Sequence, residues 1–401
     1  MTSEWHEVPL RELVGYISKG IAPSYAEEAS ETTIRVLNQK CNRNFRISYG
    51  DSRLHDTLKK KVPPERYVKP DDILINSTGA GTAGRIAQIE DVPSATTIDG
   101  HMILIRSNRK VTQKFLGYAL KAHQWEVLQL DEGSTGQTEL NRDRLLDEIM
   151  INYPVSFDEQ NAIVGTLESI DRKLIVNEQL NDNLQQQAQS YFQELFVDNA
   201  DPEWTTGTIC DLGAVVGGST PSKAKPEYYT ESGIAWITPK DLSINKSKFV
   251  SHGENDITEL GLKNSSAAIM PEGTVLFSSR APIGYIAIAA GEVTTNQGFK
   301  SVVPKPEIGT PFVYFFLKNT LPVIEGMASG STFKEVSGST MKNVPAVIPD
   351  AETLAKFSDF CAPIFAQQRI LEEQNQSLAT LRDNLLPKLM SGEIDVSAVQ
   401  L

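Results

Sequence analysis

The sequence predicts an α+β protein in which two similar mixed α/β globules alternate with two long helices. Landmarks in the first half of the chain recur about 200 residues later, which indicates an internal duplication. Solenoid units are only about 20 to 50 residues long, so this repeat indicates duplicated domains. The expected order is a globule over 1–157, a helix over 158–200, a second globule over 201–350, and a helix with a tail over 351–401.

The two copies can be aligned by their landmarks. Trp5 and Gly20 of the first copy correspond to Trp204 and Gly218 of the second, and the run 70–78 corresponds to 271–280. Within each copy, short β-branched runs bounded by turn residues predict strands, and patches near 114–128 and 311–323 predict helices.

Heptad spacing predicts that the stretch closing each copy is a coiled-coil helix. Asn177, Asn181 and Asn375 interrupt the two apolar seams, and we expect them to fix the pairing register. We expect Asp158 to cap the first helix. A long helix lying on a globular core is the alternative. The seam residues are Ile163, Leu167, Ile170, Leu174, Leu184, Tyr191 and Leu195 in the first helix, and Phe357, Ile364, Leu371, Leu378 and Leu385 in the second.

The distribution of charge qualifies what the net charge suggests. The formal net charge of -13 argues against an anionic partner, because affinity for phosphate comes from clustered Lys and Arg. However, residues 35–69 contain ten basic and three acidic side chains, whereas 158–198 is strongly acidic. The first globule therefore carries a basic segment although the chain is acidic overall.

Sequence motifs for catalysis, metals and cofactors are missing or incomplete. The run 79–84 has the glycine spacing of a dinucleotide fingerprint, but residues 85–89 alternate like a strand where that motif requires a helix. The chain has no P-loop, no base-modification motif and no histidines at metal-ligand spacing. We therefore expect a non-enzymatic chain without its own cofactor or metal. Cys41, Cys210 and Cys361 are expected to be buried, reduced thiols.

The chain also has no segment that predicts membrane insertion or export. Residues 1–10 contain two glutamates and no apolar run, and no later stretch reaches the roughly 18 apolar residues of a membrane span. We expect a cytoplasmic protein without a membrane partner.

Several of these motifs together resemble the specificity subunits of type I restriction-modification systems. The run 132–137 (EGSTGQ), followed by Asn141, Tyr153-Pro154 and Asp158-Glu159-Gln160, resembles the end of the first target-recognition domain and the helix that follows it. In the second copy, the runs 217–222, 236–242, 278–284 and 295–299 resemble target-recognition motifs of the same family. The resemblance extends over essentially the whole chain.

This resemblance implies both an architecture and a function. In such subunits two long antiparallel helices form a coiled-coil spacer with a pseudo-two-fold repeat, and each target-recognition globule reads one half of a bipartite double-stranded DNA site. The helices set the gap between the half-sites and dock two methyltransferase subunits, which carry S-adenosylmethionine, and restriction/translocase subunits join them. The subunit itself is not catalytic.

Basic and amide side chains near the landmarks are the candidate DNA contacts, because lysines contact phosphates and Arg, Asn and Gln read base edges. They are Lys40, Arg43, Arg46, Asn76, Ser77, Thr78 and Arg85 in the first copy, and Ser219, Thr220, Lys223, Lys225, Lys240, Arg280 and Lys300 in the second.

The second helix departs from the family pattern. Glu352-Thr353 replaces the usual Glu-Gln, and Pro363 falls inside the seam, so we expect this helix to start late or to kink.

Two other classes of protein compete with the DNA-reading subunit. One is an enzyme that uses the glycine loop, and the other is a coiled-coil scaffold that binds protein without DNA specificity. Net charge alone favours the scaffold. The order of globules and helices, the basic segment and the missing catalytic motifs favour DNA recognition.

Overall fold

A computed structural model of the chain describes residues 4–132, 139–330 and 334–396. Residues 133–137 of the EGSTGQ run lie outside these ranges. The chain forms two compact units, one of residues 1–173 and 378–401 and the other of residues 174–377. Both long helices cross the boundary between the units, so each unit contains part of each helix.

The globule of the first unit is built on two four-stranded sheets. One sheet is antiparallel, with the order Val14–Lys19, Met102–Ser107, Ile73–Asn76, Ile86–Gln88. The other has the order Thr96–Ile98, Thr33–Leu37, Arg53–Asp56, Tyr25–Ala26, and its first two strands are parallel. Trp5–Pro9 pairs with Met150–Pro154, Asp131–Glu132 with Glu139–Leu140, and the helices are Gln113–Ala122, Gln124–Val127 and Arg142–Glu148.

The globule of the second unit repeats this topology. Its larger sheet has the order Gly213–Gly217, Lys300–Pro304, Val275–Ser279, Ile283–Ala289, Phe249–Val250, and its smaller sheet the order Thr294–Thr295, Ile234–Ile237, Asn255–Ile257, Tyr229–Thr230. Thr205–Thr208 pairs with Pro345–Ile348. The helices are Ile209–Leu212, Pro239–Ile244, Glu259–Lys263, Thr310–Met327 and Gly338–Lys342. The larger sheet of the second globule has a fifth strand, Phe249–Val250, but its first four strands and all four strands of the smaller sheet follow the same order as in the first globule, which confirms the duplication.

A matched pair of glycines shows how closely the two copies correspond. A side chain at Gly20 would lie 2.1 Å from the carbonyl oxygen of Asp99, and one at Gly218 would lie 2.0 Å from that of Asn296. The next residue is Ile21 in the first copy and Ser219 in the second. Its backbone N–H donates a hydrogen bond to the last carbonyl of the short strand Thr96–Ile98 or Thr294–Thr295. Only glycine allows the backbone to approach this closely.

The long helices are Phe157–Gln193 and Ala351–Met390. In the second unit Asn177 bonds Asn375 at 2.9 Å, and Gln368 bonds the carbonyl of Asn181 at 3.1 Å, so the two helix segments run antiparallel. This agrees with the predicted fold class of two mixed globules and two long helices. Among seam residues, Ile163, Leu167, Ile170, Leu174, Phe357, Ile364 and Leu371 are buried, and Leu184, Tyr191, Leu195, Leu378 and Leu385 are partly buried.

The ends of the helices differ from two expectations. Ser156, not Asp158, precedes the first helix, and its hydroxyl accepts the backbone N–H of Glu159, which places Asp158 in the first turn. The second helix starts at Ala351 and continues across Pro363, so the expected late start is wrong. Asp350 explains this start, because its carboxylate accepts the backbone N–H of Thr353 at 2.9 Å, as a helix cap does.

The cores combine globule and helix residues within each unit. In the first unit, Phe115 and Leu116 of the globule share a core with Ile163 and Leu167 of the first long helix. In the second unit, Phe315 of the globule shares a core with residues of both long helices. Cys41 and Cys361 are buried as expected, whereas Cys210 is exposed, so the prediction for Cys210 is wrong.

Candidate nucleic-acid interface

The basic segment of the first globule, residues 35–69, contains a short β-hairpin. Strands Asn42–Arg43 and Arg46–Ile47 pair antiparallel, with Arg43 opposite Arg46. The turn residues Asn44 and Phe45 have φ angles of 52° and 61°, which is the pattern of a type I′ turn. A bulky residue rarely adopts positive φ, so Phe45 must be held there by its surroundings.

Phe45 anchors this hairpin to the globule. Its side chain packs against the core of the first unit, and the Lys121 ammonium lies 5.0 Å from the ring centroid. Its backbone also forms a parallel bridge with Ala87 of the larger sheet. The anchored aromatic ring keeps the turn in place, and Arg43 is left exposed to solvent.

A cleft of about 420 Å³ lies between the hairpin and the glycine loop, and Gln39, Lys40, Arg43, Asn44, Thr82 and Arg85 line it. The Arg85 guanidinium donates to the carbonyl of Gly81 at 3.2 Å, which holds the loop closed beneath it. Among the residues that the structure describes, no carboxylate lies within 4.0 Å of the charged groups of Lys40, Arg43 or Arg85. Three predicted DNA contacts therefore line one positively charged cleft, which we call the basic cleft.

Other predicted contacts of the first globule lie inside it. Asn76 and Ser77 are fully buried. The Asn76 amide donates to the carbonyl of Gln39 at 3.1 Å, and the Ser77 hydroxyl donates to Gly100 at 3.3 Å. The Asn76 bond holds Gln39, which lines the basic cleft, and neither Asn76 nor Ser77 is exposed to a ligand. Thr78 is partly exposed and bonds His101 at 2.7 Å.

The second globule brings basic residues to corresponding loops but pairs them with carboxylates. Lys240 lies on the first turn of Pro239–Ile244 and bonds Glu254 at 2.6 Å, and this hydrogen bond raises the pKa of Lys240. The Arg280 guanidinium lies 3.7 Å from Glu335. Lys225 lies 3.7 Å from Glu227.

Most of the remaining predicted DNA contacts of the second globule are partly buried side chains that form hydrogen bonds within the protein. Ser219 and Thr220 are partly buried, and Thr220 bonds Gln297. Lys300 is half-buried and donates to the carbonyls of Gln297 and Phe299 at 3.2 and 3.3 Å, and burial lowers its pKa. Lys223 is exposed.

A larger cleft of about 800 Å³ next to Arg280 has walls of mixed charge, because Glu325 and Glu335 line it together with Lys334. The charged residues that line this cleft thus balance, whereas those that line the basic cleft are all positive.

Sequence reasoning missed a buried lysine that fastens the second globule to the second long helix. Lys248 is buried, its ammonium lies 4.1 Å from the Phe365 ring centroid, and it bonds Gln368. The Glu372 carboxylate accepts the backbone N–H groups of Lys248 and Phe249 at 2.8 and 3.0 Å. The signal available in the sequence was Gln368, a polar residue within the predicted seam of the second helix.

A different cluster, which was also missed, fastens the first globule. Asp171 of the first long helix accepts hydrogen bonds from Tyr118 at 2.9 Å, from Lys121 at 3.2 Å and from Arg382 of the second long helix at 3.1 Å. Burial alone would raise the pKa of Asp171, but these partners lower it below its ordinary value. The carboxylate therefore stays charged between two cations.

Within residues 4–132, 139–330 and 334–396, no group of three His, Cys, Asp or Glu side chains is arranged to hold a metal ion. No helix in these ranges is long and apolar enough to cross a membrane. The glycine loop is followed by strand Ile86–Gln88, as the alternation predicts, and a dinucleotide fingerprint requires a helix at that position.

Known proteins resemble this chain in sequence. The type I restriction enzyme MjaIX specificity subunit of Methanocaldococcus jannaschii is 39% identical to this chain over 191 residues. The alignment covers 45% of this chain and 44% of that protein. The HindI specificity subunit of Haemophilus influenzae is 27% identical over 194 residues, covering 48% of this chain and 42% of that protein. The aligned parts thus span less than half of either relative.

A solved structure shares the fold. The crystal structure of a type I restriction-modification system S subunit from M. genitalium superposes with a TM-score of 0.62 at 17% identity, covering 97% of this chain and 96% of that one. The family model for the type I restriction modification DNA specificity domain matches residues 2–186 and again residues 202–381. These two matches cover most of both globule–helix copies, and the chain therefore belongs to the type I restriction modification DNA specificity domain family.

Proposed function

We propose that this chain is the DNA-reading subunit of a type I restriction-modification complex and that each globule reads one half of a bipartite double-stranded site. The observation that carries this proposal is the double match of the DNA specificity domain to two globules with one strand order. Two similar DNA-reading globules in one chain imply a DNA target with two half-sites.

The exposed basic side chains support the proposal chemically. Lysine and arginine neutralise DNA phosphates, and arginine also bonds guanine edges in pairs of hydrogen bonds. Lys40, Arg43 and Arg85 lie together in the basic cleft, and Arg280 lies at the rim of the cleft in the second globule. In this proposal the buried Asn76 and Ser77 serve only to position loops.

The partners follow from the same proposal. We infer that the long helices set the gap between the two half-sites and dock two methyltransferase subunits, which supply S-adenosylmethionine and the chemistry. Restriction/translocase subunits join this assembly for cleavage. The chain itself contributes recognition and no catalysis.

Sequencing of methylated adenine in cells tests the proposed function. Cells that express this chain with its neighbouring methyltransferase are compared with cells that lack the chain. The expected result is new methylation at a split motif, with two short defined halves around a fixed gap. If no new methylation arises while the same methyltransferase is active with another specificity subunit, the protein-binding scaffold replaces this proposal.

A variant sharpens the same experiment. Arg280→Ala is expected to weaken methylation and to loosen base preference in one half of the motif only, because Arg280 belongs to one globule. Lys263→Ala is the control, since Lys263 is an exposed lysine that pairs with Glu259 one helical turn away. An equal loss at all DNA sequences would make Arg280 a phosphate contact.

A further inference from the structure

The two globules differ in charge at corresponding segments. Strands Thr33–Leu37 and Ile234–Ile237 occupy the same position in their sheets, so residues 35–69 correspond to residues 235–270. The first segment has ten basic and three acidic side chains, whereas the second has four of each. Corresponding segments of two globules with one topology therefore carry different charges.

The pairing of individual cations increases this difference. In the basic cleft, no described carboxylate pairs with Lys40, Arg43 or Arg85. In the second globule, Lys240 and Arg280 each face a carboxylate, Glu254 or Glu335. To contact a phosphate, either cation must leave its partner, and the carboxylate that remains repels the phosphate.

The backbone follows different paths in the two globules near Phe45 and Phe249. Phe45 bridges in parallel to Ala87, and strand Phe249–Val250 pairs in parallel with Ile283–Ala289, so the two phenylalanine segments correspond. Near Phe45 the chain turns outward as the hairpin that exposes Arg43. Near Phe249 it instead buries Lys248 against the second long helix.

We propose that the basic cleft seats a phosphate of the DNA backbone, and that the first globule supplies most of the charge-driven, sequence-independent affinity of this chain for DNA. This inference rests on the proposed function. The second globule adds base discrimination to a duplex that the first globule already holds. A two-stranded hairpin is also narrow enough to enter a major groove, which is consistent with contact at this position.

The anchoring of the hairpin explains why the cleft suits a phosphate. The type I′ turn, the Phe45 ring and the Asn42–Asn76 hydrogen bond of 3.2 Å hold its wall before any ligand arrives. The Arg85 guanidinium is already oriented by Gly81. A site held in this way loses little side-chain entropy on binding.

The test measures how the affinity of the complete chain for a fluorescent 30-base-pair duplex of arbitrary sequence depends on salt concentration, where about one unit of slope corresponds to one phosphate contact. Lys40→Gln/Arg43→Gln/Arg85→Gln is compared with Lys225→Gln/Lys240→Gln/Arg280→Gln, which removes the same number of charges. Lys263→Gln is the control on an exposed lysine. Thermal unfolding and circular dichroism show whether each variant is folded.

The first triple variant is expected to lower the slope by about 2 to 3 and to weaken binding at 50 mM salt at least 100-fold, given about one unit for each lost contact. The second triple variant is expected to lower the slope by less than about 1. Equal losses, a larger loss from the second variant, or no binding by the unaltered chain at 50 mM salt would overturn the inference. The methylation experiment judges the proposed function separately, because a split motif can arise whichever globule supplies the charge.

Discussion

The first and second globules share one topology, yet polar groups of different kinds fasten them to the long helices. In the first unit an ionised side chain, Asp171, gathers Tyr118, Lys121 and Arg382. In the second unit Glu372 accepts backbone N–H groups of the globule, while the Lys248 side chain enters an aromatic pocket. Duplication has therefore preserved the strand order and the apolar seam but not the polar contacts.

This difference separates two roles of the packed interfaces. Apolar burial is non-directional, so many sequences satisfy it as long as the heptad spacing persists. Buried polar groups must each find a partner, so they fix which side chain lies opposite which. The two units satisfy their buried polar groups with different contacts between globule and long helix. Each set of contacts can therefore be disrupted separately by mutation.

The largest expected effect comes from Asp171→Asn in the first unit. This change leaves Lys121 and Arg382 without their shared carboxylate, and their side chains are only 10% and 18% exposed. Removing one partner of a buried ion pair costs about 3 kcal/mol or more of the free energy of unfolding. Hydrogen exchange is expected to accelerate in helix Gln113–Ala122 and to stay unchanged in helix Thr310–Met327.

Asp147→Asn is the matched control for that variant. Asp147 pairs with Arg11 on the surface of the same globule, where both side chains are about half exposed. An exposed pair contributes less than about 1 kcal/mol, so its loss is expected to change exchange in Gln113–Ala122 very little. Equal effects of the two variants would mean that the Asp171 cluster does not fasten the globule.

Glu372→Gln is expected to produce the next largest effect, confined to the second unit. The amide nitrogen of glutamine would face a backbone N–H that the carboxylate now accepts, so one of the donors at Lys248 or Phe249 loses its partner. A buried donor left unsatisfied costs about 1 to 3 kcal/mol. Faster hydrogen exchange is expected at Phe249–Val250, measured against Glu373→Gln, whose carboxylate pairs with Arg369 at the surface.

The sequence predicted those parts of the fold that depend on periodicity. The heptad spacing gave the buried faces of both helices, and the alternation after Gly84 gave strand Ile86–Gln88. Periodicity reports which face of an element is buried, but not what lies opposite. Nothing in the local pattern distinguishes Lys248 from a surface lysine, because its aromatic neighbours are Tyr314 and Phe365, far along the chain.

The candidate contacts were predictable only in part, for a related reason. Asn76 and Ser77 became candidates as polar residues of a landmark run, but both are buried, and Asn42 and Gln39 enclose the Asn76 amide. The cleft that joins Lys40 to Arg85 depends on a contact between segments about 45 residues apart. Local spacing carries no information about such a contact.

A change in the pH dependence of stability is expected from Lys248→Met. Burial lowers the pKa of Lys248 to about 7, and Glu372 offsets part of that cost. The unfolded chain therefore binds more protons than the folded one between about pH 7 and the ordinary lysine pKa of about 10.4, so stability rises with pH across that window. Methionine removes the titrating group but keeps an unbranched side chain of similar length beside the aromatic rings.

Urea unfolding at pH 7 and pH 9.5 measures this difference. Relative to Lys248→Met, the unaltered protein is expected to gain stability at the higher pH, because Lys248 is then buried without its charge. Lys263→Met on the surface is expected to show no such trend, since Lys263 is exposed to water and pairs with the similarly exposed Glu259. A constant difference between the unaltered protein and Lys248→Met at both pH values would mean that Lys248 keeps its proton in the fold, and that Glu372 and the aromatic rings stabilise its charge fully.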